Sequence, residues 1–256
     1  MPYTTVASEK AFYARRAALH TGSPHLILVH GAGGSHQQWG AAVRDLSAAN
    51  VYALDLPGHG RSGGKGSTSV ADYASFVVGL MDALGLQQAV IAGHSMGGAT
   101  AMTIALNYPQ RIAGLVLVGT GARLRVLPKI IEGTLNDFQN TVKLICDYAY
   151  APQTPRELVR QGEQQMLQVA AQTIHDDFLA CNAFDVMEQV GNIHCPTLII
   201  CGTQDTLTPA RYSSFLSARI AGSELVLVEG GGHMVMVEKA AEVAAAIASA
   251  LARWAL

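Results

Sequence analysis

Ser95 stands at the centre of Gly93-His94-Ser95-Met96-Gly97, a hydroxyl bracketed two residues away on each side by glycine. A serine hydroxyl is a weak nucleophile and attacks a carbonyl only with a base beside it, which an acid must in turn orient. Of the nine histidines, His233 has the suitable place, in EGGGHMVMVE after the last apolar run and before the final helical stretch. His30 and His59 belong to loop motifs that precede the serine, and His94 adjoins it in a turn where neighbouring side chains diverge. The acid should close an earlier strand on the same edge. Asp205 does so at the end of TLIICGTQD. Its rival Asp55, in LDLPGHGRS, reads as a residue that fixes its own loop by hydrogen bonds.

Attack on a carbonyl places negative charge on oxygen, and backbone N–H groups must meet it; losing one such donor typically costs roughly 3 kcal/mol of transition-state stabilisation. His30-Gly31-Ala32-Gly33-Gly34 is rich in glycine and lets backbone approach closely. The expected donors are the amides of Ala32, with Gly33 as fallback, and of Met96, the residue after the serine. A phosphate cradle would need G-x-G-x-x-G or G-x-x-x-x-G-K-[ST], and neither is present. For substrate binding, Gly33 and Trp39 are placed to flank an entrance. Arg123 and Arg125 offer charge to a substrate carboxylate, and Leu127 and Phe138 offer an acyl pocket. Solvated surface is the plainer reading of the arginines, and packing that of the apolar residues.

These residues need a scaffold that brings distant loops to one edge. Nearly continuous apolar runs at His25–His30, Val51–Asp55, Ala89–Gly93, Gly114–Gly119, Thr197–Gly202 and Glu224–Glu229 predict parallel strands buried on both faces. Helical stretches near Gln37–Ala49, Val70–Leu84, Met96–Tyr108, Pro209–Ile220 and Val235–Trp254 alternate with them. The fold class is therefore α/β: a mostly parallel central sheet with helices on both faces. Residues 1–20 are expected to add an antiparallel hairpin at an edge. From Ala122 to Gly191 the rhythm breaks, with Leu124, Leu127, Ile130, Ile131, Leu135 and Phe138 at helical spacing. This segment, 122–191, is read as a helical cap inserted in a core of 1–121 and 192–256.

Half the residues are hydrophobic and 14% are charged, as in a packed globular chain. With 17 basic and 19 acidic residues, the net charge of −2 gives no field for nucleic acid or an anionic membrane, so the expected partner is a small molecule. No apolar run approaches the length of a membrane span, and the first twenty residues lack the apolar stretch of a secretory signal. The four cysteines form no C-x-x-C pair, no histidines stand at zinc spacing, and no metal is expected. Reduced thiols and the missing signal point to the cytoplasm. A homo-oligomer is a further candidate assembly.

Together HGAGG, DLPGHGRS, GHSMGG, GTQD and GGHMVMVE resemble the α/β-hydrolase superfamily from about Leu26 onward. The order Ser95, Asp205, His233 is the one that fold uses. The chain is most similar to the small carboxylesterase and lactonase branch, which includes pimeloyl-ACP methyl ester esterases and enol-lactonases. The resemblance implies ester or lactone hydrolysis through an acyl-enzyme, with no cofactor and with a helical cap over the site. Relatives that act on haloalkanes or epoxides use Asp where this chain has Ser95. The C–C hydrolases of meta-cleavage pathways usually carry Trp where this chain has Met234, and they form the second reading; cofactor-free haloperoxidases share a similar triad. A ligand sensor that kept the fold without turnover is the third.

Overall fold

A computed structural model describes residues 3–254. Met1 and Pro2, at the head of the expected hairpin, and Ala255 and Leu256 lie outside the described residues. The chain opens on β1 (Tyr3–Val6) and β2 (Glu9–Arg16), antiparallel and joined through Ala7 and Ser8 at φ +47° and +72°. Two successive positive φ values match the tight two-residue turns that follow strand twist. Then come β3 (His25–Val29), α1 (Ala41–Arg44), β4 (Asn50–Leu54), α2 (Val70–Ala83), β5 (Ala89–His94), α3 (Met96–Asn107) and β6 (Ile112–Val118). Four helices occupy the next connection: α4 (Pro128–Asn136), α5 (Phe138–Ala149), α6 (Arg156–Leu167) and α7 (Ala171–Ala183). The chain ends with β7 (Thr197–Gly202), α8 (Ala210–Arg219), β8 (Glu224–Val228), α9 (Val235–Glu238) and α10 (Ala240–Arg253).

Among the described residues the strands form one sheet in the order β1-β2-β4-β3-β5-β6-β7-β8. β1 and β2 are its antiparallel edge, and every pairing from β4 to β8 is parallel. Side chains alternate across each strand, so the continuous apolar runs feed two cores. Ile27, Val29, Ile91, Leu115, Leu117 and Ile199 face a cluster with Val77, Leu80, Met102 and Leu216 from α2, α3 and α8. Leu26, Leu28, Val90, Ala92, Val116, Val118, Leu198 and Ile200 face another with Val43, Ile247 and Leu251 from α1 and α10. Full burial of one such side chain contributes about 1.5–3 kcal/mol, so both faces are strongly fixed. The chain reverses direction across the sheet at β3, which has β4 on one side and β5 on the other. Loops leaving the carboxyl ends of strands at such a reversal diverge and leave a crevice.

The expected helix over Gln37–Ala49 is broken. A short 3-10 turn spans His36–Gln38, Trp39 is fully buried, and α1 begins after Gly40. A Cβ on Gly40 would lie 2.6 Å from the Met236 carbonyl oxygen, so the chain bends where another element presses on it. The expected helix over Val235–Trp254 is likewise two pieces, divided at Lys239, whose φ of −130° leaves the helical region. No helix among the described residues is long and apolar enough to cross a membrane. Cys146, Cys181 and Cys201 are buried free thiols, and Cys195 is half-buried.

Candidate functional site

Ser95 joins β5 to α3 with φ +51° and ψ −115°, a conformation that costs a non-glycine residue on the order of 1–3 kcal/mol. The surroundings hold it there. Its N–H donates to the Val118 carbonyl at 3.0 Å, and its carbonyl accepts from the Gly98 and Ala99 amides and the Thr120 hydroxyl. The turn is too tight for side chains on either flank. A Cβ on Gly93 would lie 2.0 Å from the Gly97 oxygen, and one on Gly97 would lie 2.2 Å from the Val29 oxygen. Ser95 is partly exposed while His94 and Met96 are buried. Met96 opens α3, so its N–H belongs to the first turn, which has no acceptor within the helix.

The loop after β3 lies against this turn: a Cβ on Gly31 would come within 3.2 Å of the Ser95 Cβ. Most of the loop's amides are engaged. Gly31 N–H donates to Gln38 Oε1 at 2.9 Å, Gly34 N–H to the Gly31 carbonyl at 3.1 Å, and Gly33 N–H to Asp177 Oδ2 at 2.8 Å. Among the four amides from Gly31 to Gly34 this leaves Ala32 as the uncommitted donor and removes Gly33, the fallback, from that role. His30 anchors the loop in a defined tautomer. Its Nε2 accepts the Leu56 amide at 3.0 Å, so the proton sits on Nδ1 and is donated to the Gly31 carbonyl at 2.8 Å. Burial first, then the neighbouring His59 charge, lowers the His30 pKa to about 4 and keeps the ring neutral.

His233 and Asp205 meet at the ends of β8 and β7. Nδ1 of His233 donates to Asp205 Oδ2 at 3.0 Å, and both side chains are buried. The carboxylate also accepts the Leu207 and Thr208 amides on Oδ1 at 2.9 and 2.8 Å, and the Thr208 hydroxyl on Oδ2 at 2.8 Å. Burial would raise its pKa, but the His233 charge and these hydrogen bonds outweigh it and hold the carboxyl well below the usual range. With Nδ1 committed to Asp205, the neutral imidazole presents Nε2 as its acceptor. His94 Nε2 donates to the His233 carbonyl at 3.0 Å and steadies its backbone. Burial and the His233 charge lower the His94 pKa to about 3. The end of β6 draws the parts together. Val118 and Thr120 hold the Ser95 backbone, while Gly119 between them lies so close to the pair that a Cβ there would be 3.4 Å from both Asp205 Oδ2 and His233 Nδ1.

The other expected residues fall elsewhere. Asp55 fixes its loop, accepting the His36 amide at 2.6 Å, the His36 ring at 2.8 Å and the Arg61 amide at 2.9 Å. Trp39 is in the core rather than at an entrance. Arg123 and Arg125 stand on the surface at 3.7 and 3.4 Å from Asp185, and Arg125 also donates to the Asn182 carbonyl, so their charge is already met. Leu127 is exposed, and Phe138 packs against the core cluster that contains Trp39. A cavity of about 140 Å³ lies between the loop after β3 and helices α5 and α6. Gly33 and Met234, neighbours of Ala32 and His233, line it, as do Gln37, Gln38, Gln161 and Gln165, and no charged residue does among the described residues. Sequence reasoning missed Thr208, although an acid followed three residues later by a hydroxyl is a pattern for a local hydrogen bond. It also missed Asp177, which nothing in its own helix distinguishes from a solvated carboxylate.

The family model described as alpha/beta hydrolase fold matches residues 24–240. A putative carbamate hydrolase, RutD, of Azorhizobium caulinodans is 28% identical over 91% of this chain and 91% of its own length. A pimeloyl-[acyl-carrier protein] methyl ester esterase of Yersinia enterocolitica is 29% identical over 84% of this chain and 88% of its own. The solved structure of a thermophilic esterase, 35% identical, superposes with a TM-score of 0.87 over 98% of this chain and 97% of that one. With a strained serine between β5 and α3, a glycine-rich loop after β3 and a family match over most of its length, the chain belongs to the alpha/beta hydrolase fold family.

Proposed function

We propose that the chain hydrolyses small, uncharged carboxylic esters or lactones through an acyl-enzyme, with Ser95 as nucleophile, His233 as base and Asp205 as the acid that orients it. The observation that carries this reading is the junction at the end of β6, where Val118 and Thr120 hold the Ser95 backbone and Gly119 lies against the His233–Asp205 pair. In this scheme Nε2 of His233 takes the Ser95 proton as the hydroxyl attacks the carbonyl carbon. The tetrahedral oxyanion rests on the amides of Ala32 and Met96. The imidazolium, stabilised by the Asp205 carboxylate, then gives its proton to the leaving alcohol, and water repeats the sequence to free the acid. Helices α4–α7 act as a cap, and the cavity beneath them holds the group next to the scissile bond. Its lining of amides and apolar side chains suits a neutral, hydrogen-bonding group. A free carboxylate there would lose its water without gaining a cation, which is unfavourable. That argues against the dienoate acids of the C–C hydrolases, and the similarity to a methyl ester esterase and to a thermophilic esterase supports the ester reading.

A panel of short-chain p-nitrophenyl esters, lactones and a ring-fission dienone, assayed beside Ser95→Ala, tests the reading. Turnover of neutral esters is expected, and the variant should lose roughly 10⁴-fold or more in kcat. Full activity in Ser95→Ala, or folded protein inert towards every ester and lactone, would overturn it.

A further inference from the structure

Asp177 on α7 is fully buried, and the proposed chemistry gives it no part. Its carboxylate nevertheless gathers three elements of the core. Oδ2 accepts the Gly33 amide from the loop after β3 and Nε2 of His59 from the loop after β4, each at 2.8 Å. Oδ1 accepts the Tyr73 hydroxyl from α2 at 2.5 Å. A buried carboxylate is tolerated only when paired and hydrogen-bonded, and here every donor is supplied by a segment far away in the chain.

The charge that balances it can be located. Nδ1 of His59 faces the Pro57 carbonyl at 2.9 Å and Nε2 faces Asp177, and both partners are acceptors. Each ring nitrogen must therefore carry a proton, which makes His59 an imidazolium. Burial acts against that charge, but the Asp177 carboxylate and its hydrogen bond prevail and raise the His59 pKa. His30, whose ring centroid is 4.8 Å from that of His59, is held neutral by its own two hydrogen bonds, so the cation is confined to His59.

We infer, resting on the function proposed above, that Asp177 is a positioning residue: from the cap it withdraws the Gly33 amide from the substrate, fixes the loop that carries the Ala32 amide, and makes seating of the cap and assembly of the oxyanion site a single event. The packing agrees with this. A Cβ on Gly33 would meet Met166 at 3.1 Å and Ile174 at 3.2 Å, so cap side chains close over the same glycine whose amide Asp177 holds. An interaction that orients an oxyanion donor acts on the transition state more than on the bound ester. Its loss should therefore appear in kcat and spare KM.

The test compares wild type, Asp177→Asn and His59→Gln in p-nitrophenyl ester turnover and in amide hydrogen exchange of the 30–38 loop. Asp177→Asn keeps the shape but weakens the acceptor for Gly33. It should lower kcat by about 10–100-fold with KM within about threefold, and raise exchange in the loop. His59→Gln retains a donor to Asp177 without the charge; it is expected to give the same pattern more weakly, and it serves if Asp177→Asn fails to fold. A purely structural role would lower the melting temperature and leave the kcat of folded enzyme and the loop's exchange unchanged, and that result overturns the inference. If wild type itself turns over no ester, the proposed function has failed; the exchange comparison then still decides whether Asp177 fixes the loop.

Discussion

At the scale of single residues, the site depends on which of its buried imidazoles carry charge. His94 and His30 are held neutral with pKa values lowered to about 3 and about 4, in each case by burial first and a nearby imidazole second. Free in an unfolded chain, each would titrate near 6.5. Between those limits the unfolded state binds the protons that the folded state refuses. Their contribution to stability is thus complete above about pH 6.5 and is lost as pH falls towards 4. His59 runs the other way: its pKa is raised, so its contribution is complete below its unfolded value and is lost as pH rises through its folded one. His25 is lowered as well, by burial first and the Arg15 charge second, so three groups against one make acid the weaker side in this window, and Asp205 and Asp55, both lowered, add their loss only further down, below the ordinary carboxylate range. Denaturant midpoints measured from pH 7 to pH 4 should fall steadily. His94→Gln should remove up to one proton from that dependence, about 1.4 kcal/mol per pH unit at most, and a slope equal to wild type would show that His94 is not the group titrating.

At the scale of elements, the strand–turn–helix at Ser95 is a problem of backbone crowding, which substitution can separate from backbone strain. Gly93→Ala would drive a Cβ into the Gly97 carbonyl at 2.0 Å and the Gly98 nitrogen at 2.5 Å, backbone atoms that cannot rotate away. A loss of roughly 3 kcal/mol or more is expected by chemical denaturation. Gly85→Ala supplies the contrast. Gly85 has φ +69° and nothing within 4 Å of a new Cβ, so strain alone should cost it about 1 kcal/mol. Equal losses would mean that crowding does not set the turn. The same distinction explains what the sequence disclosed. The Ser95 turn, the buried strands and the loop after β3 were legible because their causes are local: glycines two residues either side of a serine, and apolar runs that suit a sheet covered on both faces. The break at Gly40 was hidden because it is imposed by the Met236 carbonyl, nearly two hundred residues on. Arg123 and Arg125 read as solvated surface, with a substrate carboxylate as the sharper alternative, and their partner Asp185 was hidden because it meets them only once the chain has folded. Asp177 is 144 residues from the Gly33 amide it accepts, and no helical pattern announces such a partner.

At the scale of the whole molecule, the helices between β6 and β7 are bound into the core at both loops they overlie. Asp177 holds the loop after β3. On the other side the Met234 amide donates to the Ala149 carbonyl at 3.1 Å, and Glu238 of α9 accepts both the Gly232 amide at 2.8 Å and the Ala151 amide at 2.7 Å. Ala149 and Ala151 lie at the end of α5 and just beyond it, so the segment leading to His233 is tied to the inserted helices as the loop after β3 is. The apolar packing is continuous too: Val142, Ile145, Met166 and Ile174 belong to the same cluster as Leu28, Trp39 and Ile247. An insertion with its own separate core would unfold on its own, but elements that share one core lose it together. Urea unfolding should therefore be a single transition, with far-UV circular dichroism, which reports all the helices, coinciding with the fluorescence of Trp39, in that cluster, and Trp254, packed against it. Val142→Ala removes two methyl groups from a fully buried site on α5. It should shift both curves together by about 1–3 kcal/mol, because the cavity it leaves weakens the core that the sheet also uses. If the dichroism curve split and only its early step moved, the inserted helices would be an independent unit, and the coupling between cap seating and the oxyanion loop would lose its mechanical basis.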